Sequence, residues 1–157
     1  MKGSRASQKR PHAGVSLGKK IGGVVVNYDK NNIFAKILRD EIPSKKILET
    51  DFALAFFDIN PQAPVHVLVI PKGPYVSMND FSGNASSEEI AGLWRAVGET
   101  ANRLGLADGG YRILSNHSAH AHQEVFHLHI HILGGHPLGP MLEGGDVPPD
   151  GSWQRST

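Results

Sequence analysis

Residues 127–133 read His-Leu-His-Ile-His-Ile-Leu, so that three histidines alternate with aliphatic residues. In an extended strand, successive side chains point to opposite faces. The pattern therefore predicts a strand over residues 125–133 with His127, His129 and His131 on one face and an apolar opposite face. Three neighbouring imidazoles are costly to bury unless each is hydrogen-bonded. The histidine face is therefore predicted to line a functional site rather than a plain core.

A metal site is one alternative for this row, because imidazole is a common zinc ligand. Cα atoms advance about 3.3 Å per residue in a strand, which separates His127 from His131 by roughly 13 Å. Zinc holds its ligands at about 2 Å, so one ion could bridge two neighbouring histidines with a third ligand from elsewhere, but hardly all three. An extended anion such as a substituted phosphate fits the row better, since imidazoles donate hydrogen bonds, relay protons and attack phosphorus.

Length and composition indicate one globular domain. The chain has 157 residues, of which 39% are hydrophobic, enough for a core of ordinary size. It contains no cysteine, which excludes disulfides, cysteine-ligated zinc and a thiol nucleophile. No apolar run approaches the ~20 residues of a membrane span. We therefore expect a soluble, cytoplasmic protein that does not associate with membranes.

Charge is unevenly distributed along the chain. Residues 1–28 carry six of the 16 basic residues and none of the 15 acidic ones, which leaves residues 29–157 with ten against 15, a net charge of −5. Residues 1–28 are predicted to form a disordered basic extension that does not dock onto the core. Organelle targeting by this segment is left open, and its charge alone predicts no stable nucleic-acid binding.

Two helices follow from hydrophobic spacing and capping residues. A short helix begins at Asn31 or Asn32 and ends at Pro43. A long helix covers residues 87–104 and begins with a Ser-x-x-Glu capping box.

Strands are expected where short apolar or alternating runs are bounded by turn residues. They are predicted at residues 46–49, 52–57, 65–70, 111–115 and 125–133, with irregular segments at 72–83, 116–124 and 137–157. Consecutive strands with short connections beside a long helix predict an α+β domain with an antiparallel sheet.

Residues 127–133 match the HxHxHxx pattern of the histidine-triad (HIT) family, in which each x is hydrophobic, and the chain resembles this family well beyond that motif. Other segments that look like the family are residues 32–37, 41–45, 57–72, 110–112 and 133–135. The resemblance covers roughly residues 32–136, and the branch it favours is that of the Hint-like nucleoside phosphoramidases. It suggests three regions: the extension 1–28, a HIT domain over 29–136 and an irregular arm over 137–157.

The resemblance implies a five-stranded antiparallel sheet with one long and one short helix, usually paired into a homodimer. It also implies a hydrolase of nucleoside 5'-phosphoramidates, with purines preferred, that acts through a nucleotidyl-histidine intermediate. His129 would attack the α-phosphorus, His131 would bind phosphate oxygens, and His127 and His66 would tune and orient the centre. No cofactor and no metal is implied.

Substrate-binding positions are carried over by the same resemblance. Asn116 would hydrogen-bond near the ribose or phosphate, Asp58 would accept from ribose hydroxyls, and Gln123 would help to bind phosphate through its backbone. The base would be sandwiched by Phe34, Ile37 and Ile59. By pattern alone, Phe34 and Ile37 are better interpreted as ordinary core residues, whereas Asp58 and Asn116 are equally consistent with supporting turns.

One position departs from the family pattern. Three residues before His127 the family has a serine that assists the leaving group, whereas this chain has Glu124, and His122 replaces a glycine. A carboxylate repels phosphate unless it is protonated or paired with an imidazolium, so the leaving-group preference is open. The alternatives are a dinucleoside polyphosphate hydrolase and a nucleotide-binding interaction protein with weak activity.

Overall fold

The computed structural model describes residues 19–21 and 24–142. The predictions for residues 1–18 and for the arm over residues 143–157 lie outside the described residues. The described strands, in chain order, are β1 (Lys19–Ile21), β2 (Val24–Val26), β3 (Lys46–Glu49), β4 (Ala53–Phe57), β5 (Val65–Pro71), β6 (Tyr111–Leu114) and β7 (Ile130–Gly134). The helices are α1 (Ile33–Leu38), α2 (Met78–Asn84) and α3 (Ser87–Arg103), and a 3₁₀ turn spans Ala119–Ala121.

Strands β3 to β7 form one sheet in the order β3-β4-β5-β7-β6, with β5 at its centre. Each neighbouring pair is antiparallel. The α+β class and the five-stranded antiparallel sheet are therefore confirmed, as are the long helix α3 and the short helix α1. The second short helix, α2, adds to the expected set.

Alternation along the central strands divides the core between the two faces of this sheet. Val67 and Val69 of β5 belong to a buried cluster with Leu93 and other residues of α3. Leu68, between them, packs on the opposite face with Phe34 of α1. We refer to these two surfaces of the sheet as the α3 face and the α1 face.

The helix ends follow local capping. The Asn32 side chain accepts the Ala35 N–H at 2.9 Å and so caps α1, as predicted. Helix α1 ends at Leu38, before the expected stop at Pro43, because Asp40 adopts a left-handed conformation with φ of 57°. The predicted capping box of α3 is present, and Gly105 at φ +67° follows its C-terminal cap.

The prediction of an irregular segment over residues 72–83 is wrong from Met78 onward, because α2 begins there. Its sequence is rich in residues of low helix propensity. The helix is therefore stabilised by the burial of its side chains rather than by propensity. Phe81 is only 1% exposed. The buried Asp80 carboxylate accepts the Val76 N–H at 2.9 Å and the Asn84 amide at 2.8 Å, tying both ends of the helix together.

The histidine strand is shorter than the predicted 125–133, since β7 begins at Ile130. The register pairs Val69 with Ile130, and two residues further on it would place Leu128 opposite Pro71. Proline has no N–H to donate to a neighbouring strand. The Leu128 N–H instead donates to Tyr75 O at 2.7 Å, so the chain leaves the sheet at this point.

In the part of residues 1–28 that the structure describes, strands β1 and β2 pair antiparallel with Lys19 opposite Val26, and β1 lies beside α2. Tyr28 is partly buried, with its hydroxyl 2.5 Å from His127 Nδ1. The expectation that this segment does not dock onto the core is corrected accordingly.

Candidate active site

A cleft of 790 Å³ opens on the α1 face of the sheet. This volume is in the range of small-molecule sites. Its lining has an apolar part and a polar part, which suits a ligand with an apolar ring and a charged group. The apolar lining comes from Ile33, Phe34, Ile37, Ile42, Phe56, Leu68 and Val125, and the polar lining includes Asp58, Asn116, Glu124, His129 and His131.

His127 lies at the end of the histidine row that is shielded from solvent, and we call this end the closed end of the row. His127 is 0% exposed, and both of its ring nitrogens have partners. Its Nε2 lies 2.9 Å from Pro71 O, which can only accept, so Nε2 carries the hydrogen. The neutral ring then accepts at Nδ1 from the Tyr28 hydroxyl. With no free lone pair, His127 cannot attack a phosphorus atom.

His129 presents the opposite tautomer. Its Nδ1 lies 2.7 Å from His127 O, and because a carbonyl only accepts, Nδ1 carries the hydrogen. The lone pair of the neutral ring is therefore on Nε2, for which the described residues provide no hydrogen-bond partner. His129 lines the cleft, so its Nε2 is suited to act as a nucleophile.

His131 and His66 form a directed pair. The Gln62 N–H donates to His66 Nδ1 at 3.0 Å, so neutral His66 carries its hydrogen on Nε2. That Nε2 donates to His131 Nδ1 at 2.9 Å, which leaves the hydrogen of His131 on Nε2. This Nε2 is buried and without a hydrogen-bond partner among the described residues. An unpaired buried donor is unfavourable, and a phosphate oxygen would satisfy it.

Burial keeps these imidazoles neutral, because desolvation disfavours the charged form. It lowers the pKa of His127 to about 4 and that of His131 to about 4. Burial also lowers the pKa of His129 and of His66, with the Asp58 carboxylate opposing the shift in both. The neutral tautomers derived from the hydrogen bonds are therefore the forms present near neutral pH.

Asp58, His66 and His131 offer ligand atoms that all lie within 4.8 Å of one another, as a cation site would require. The hydrogen bonds argue against this use. His66 accepts at Nδ1 from a backbone N–H, so its Nε2, which faces the other two groups, carries a hydrogen and has no lone pair for a metal. The donor set fits a hydrogen-bond relay better than a metal centre.

The predicted substrate-binding residues are brought together with one exception. Phe34, Ile37, Asp58, Ile59, Asn116 and Glu124 all line the cleft. Ile59 is 84% exposed and lies at the mouth rather than in the core. One Asp58 oxygen accepts the Asn60 N–H, and the other lies 3.4 Å from His66 Nε2. Their individual roles stay predictions.

Gln123 is the exception, because it is buried and does not line the cleft. Its backbone N–H donates to Ser118 O, so the expected use of this group for phosphate is corrected. The Gln123 side chain instead accepts from Ser118 N and donates to Val76 O and Val125 O. It shapes the loop in which Ser118 and His122 hold positive φ angles of 62° and 53°.

Glu124 belongs to the polar part of the cleft lining and lies beside the exposed His122. Glu124 Oε1 and His122 Nε2 are 3.2 Å apart, and their side chains are 77% and 87% exposed. The Glu124 charge acts on His129, where it favours the protonated imidazole. The residue that departs from the family pattern therefore acts electrostatically on His129.

Three contributors to this site were missed by sequence reasoning: Tyr28, Pro71 and Ser115. Pro71 supplies a carbonyl to His127, and Ser115 Oγ donates to His129 O at 2.9 Å. None belongs to the histidine motif, and the contact of Tyr28 with His127 spans 99 residues. No local pattern could have indicated these contacts.

Comparisons with known proteins identify the family of this chain. The HIT domain family model matches residues 39–138. An uncharacterised HIT-like protein of Azospirillum brasilense is 65% identical over 118 residues, which cover 75% of this chain and 97% of the relative. The purine nucleoside phosphoramidase of Escherichia coli strain K12 is 46% identical over 114 residues, which cover 72% of this chain and 94% of that enzyme.

Solved structures lead to the same family. A histidine triad protein from Clostridium difficile matches with a TM-score of 0.67 at 39% identity, covering 73% of this chain and 98% of its own. A HIT family hydrolase from Legionella pneumophila matches with a TM-score of 0.64 at 41% identity, covering 68% and 95%. The chain belongs to the HIT domain family, and its relatives include hydrolases. Among the described residues, no helix combines the length and the apolar character needed to cross a membrane.

Proposed function

We propose that this protein hydrolyses nucleoside 5'-phosphoramidates, with purines preferred, through a nucleotidyl intermediate on His129. The observation that carries the proposal is the pattern of hydrogen bonds in the histidine row. It leaves one lone pair, on His129 Nε2, and one unpaired N–H, on His131 Nε2, in two residues that line the same cleft. A nucleophile and a phosphate donor are what phosphoryl transfer requires.

In the first step, His129 Nε2 forms a bond to the α-phosphorus while the bond from phosphorus to the leaving nitrogen breaks. The positive charge that develops on the imidazole is stabilised by the Nδ1–H bond to His127 O. The His131 N–H donates to a phosphoryl oxygen, and the departing amine takes up a proton from the solvent. In the second step, water attacks the same phosphorus, the bond from phosphorus to His129 Nε2 breaks, and the proton lost by the attacking water returns to the solvent, which releases the nucleoside monophosphate and regenerates neutral His129.

The apolar part of the cleft suits a purine base. Phe34, Ile37 and Leu68 are almost fully buried yet line the cleft, so a flat ring placed there would be removed from water at little cost. Asp58, which lines the cleft beside His66, is suited to accept from ribose hydroxyls. The Escherichia coli relative is a purine nucleoside phosphoramidase, which supports the same substrate class.

The polar part of the cleft favours an amine over a phosphate leaving group. A polyphosphate chain would bring negative charge beside the Glu124 carboxylate, whereas an amine or its ammonium form would be attracted to it. This argues against the dinucleoside polyphosphate alternative. Because Glu124 is 77% exposed, water screens the interaction and its effect is moderate.

We also propose a homodimer joined through β6. Strand β6 pairs only with β7 among the described strands, and its Ile113 and Leu114 are 40% and 36% exposed. An open edge with apolar side chains is suited to pairing with a second chain. Sedimentation of the wild-type chain and of Ile113→Lys tests this. A monomeric wild type would contradict the dimer.

Turnover of an adenosine phosphoramidate, compared with a diadenosine polyphosphate, tests the proposed function. We expect faster cleavage of the phosphoramidate and no loss of rate with a chelator. Nucleotide binding without turnover would favour an interaction protein instead. Loss of activity on chelation, restored by zinc, would favour the metal alternative.

A further inference from the structure

The Tyr28 side chain reaches the closed end of the histidine row. Its hydroxyl lies 2.5 Å from His127 Nδ1, and the two rings meet edge-on with their centroids 5.5 Å apart. Tyr28 does not line the cleft, and it precedes the residues 39–138 that match the HIT family model. It is therefore a contact to the catalytic row from outside the matched domain.

The hydrogen bond at the other nitrogen of the His127 ring, Nε2, determines which of the two groups is the donor in this contact. Pro71 O can only accept, so the His127 hydrogen lies on Nε2 and the neutral ring accepts at Nδ1. Tyr28 must then donate. Burial raises the pKa of Tyr28 above its ordinary value, so the phenol retains its hydrogen throughout the neutral range.

His127 in turn holds the nucleophile. The His127 carbonyl accepts the Nδ1–H of His129 at 2.7 Å, and this bond determines which nitrogen of His129 keeps its lone pair. A ring anchored at both nitrogens restricts the rest of His127, including that carbonyl. Phe34 adds contacts to both rings, with centroids 6.2 Å from His127 and 5.1 Å from His129.

Tyr28 is itself anchored to the start of α1. Asp29 O accepts from both the backbone N–H and the side-chain amide of Asn32, at 3.2 and 2.7 Å. Arg39 Nη1 donates to Lys30 O at 2.9 Å. The turn that carries Tyr28 is thus fastened to the helix whose Phe34 borders the same histidines.

We propose that Tyr28 is a positioning residue, whose hydroxyl fixes His127 and through its carbonyl holds His129 ready for attack. This inference rests on the proposed hydrolase function. It gives the segment before the matched domain a part in the reaction, although Tyr28 does not contact the substrate.

Tyr28→Phe removes only the hydroxyl and is the direct test in the full-length chain. We expect kcat per active site to fall about tenfold, because small misplacements of a nucleophile are costly. KM and the affinity for adenosine monophosphate should stay within about twofold, because no cleft contact is lost. The burst of nucleotidyl adduct counts competent sites and so separates slower chemistry from partial unfolding. Ser87→Ala, which removes an exposed hydroxyl on α3 away from the cleft and from β6, is the control and should leave kcat unchanged.

A spectroscopic signal of His127 tests the contact separately from turnover. In ¹⁵N spectra, the His127 Nδ1 resonance should move toward that of a nitrogen without a hydrogen bond in Tyr28→Phe and stay in place in Ser87→Ala. Site-specific 3-fluorotyrosine at position 28 strengthens the donor without removing it, and should move the resonance the other way while preserving the fold. The proposal would be overturned by an unchanged kcat per site in Tyr28→Phe. It would also be overturned by a His127 resonance that stays in place both in Tyr28→Phe and with 3-fluorotyrosine at position 28. Absent turnover in the wild type would instead contradict the hydrolase function, and the ¹⁵N comparison would still report on Tyr28.

Discussion

The two faces of the sheet are formed by the same strands but differ in packing: one face is covered by a long helix, and the other borders the cleft. On the α3 face, a 17-residue helix packs against the sheet, and Leu93, Val67 and Ile132 are each 0% exposed. On the α1 face, a helix of six residues covers only part of the sheet, and a 790 Å³ cleft remains beside it. A short helix on one face thus leaves room for a site, while the long helix on the other face supplies stability.

The two faces also differ in whether their polar groups have hydrogen-bond partners. On the α3 face, the buried Thr100 hydroxyl donates to Ala96 O and is satisfied within its own helix. On the α1 face, the hydrogen bonds of the histidine row end at His129 Nε2 and His131 Nε2, which have no partner among the described residues. We expect substitutions on the α3 face to change stability and those in the cleft to change chemistry.

The largest expected effect is on the cleft side. His129→Ala should lower turnover by about a thousandfold or more, because the hydrogen bonds of the histidine row leave a free lone pair on His129 alone among His127, His129 and His131. Affinity for adenosine monophosphate should stay within about tenfold, or roughly 1.4 kcal/mol. His120→Ala, in the exposed 3₁₀ turn, is the control. Substantial turnover by His129→Ala would break the proposed division between the faces.

The corresponding test on the α3 face is Leu93→Ala. Removing a fully buried leucine should lower the free energy of unfolding by about 3 kcal/mol through lost burial and a residual cavity. The value of kcat per folded molecule should not change, since the cleft is on the other side of the sheet. Urea denaturation and assays well below the transition measure both quantities. A large loss of kcat with little loss of stability would show that the two faces are not separable.

Acid should destabilise the protein because His127, at the closed end of the histidine row, is protonated more readily in the unfolded chain than in the folded one. The pKa of His127 is lowered to about 4 in the fold, whereas an unfolded chain has a histidine pKa near 6.5. Below about pH 6.5 the unfolded state binds the proton more readily, so stability declines progressively as pH falls toward 4. This residue should contribute a loss of about 3 kcal/mol over that interval. Unfolding free energies from pH 7.5 to 4 for wild type and His127→Gln check it, and equal slopes would contradict it.

The smallest expected effect is the change in leaving-group preference when the exposed Glu124 of the cleft is replaced. Glu124→Ser should shift the preference between amine and phosphate leaving groups toward phosphate by about two- to fivefold, as expected for a solvent-screened charge. Glu88→Ser, on α3 away from the cleft, should not alter this ratio. The measurement is kcat/KM for both substrate classes. An unchanged ratio in Glu124→Ser would mean that this carboxylate takes no part in selecting the leaving group.

The sequence predicted the sheet and α3 because period-two and helical patterns are local properties. It also identified the histidine row, since alternation places like residues on one side. It did not predict α2, whose helix depends on the burial of Phe81 and Asp80, or the late start of β7, which depends on Pro71 in another strand. Tyr28 was missed for the same reason, because its partner His127 is 99 residues away.

The central claim is that His129 Nε2 is the nucleophile. Mixing the wild-type chain with an adenosine phosphoramidate, quenching in alkali and mapping the peptides by mass spectrometry tests it most directly. We expect an adenylyl adduct on His129 alone, with phosphorus bonded to Nε2 by NMR, that forms and decays at rates compatible with turnover. An adduct on His127 or His131, attachment at Nδ1, or steady turnover with no adduct at any time would contradict the claim.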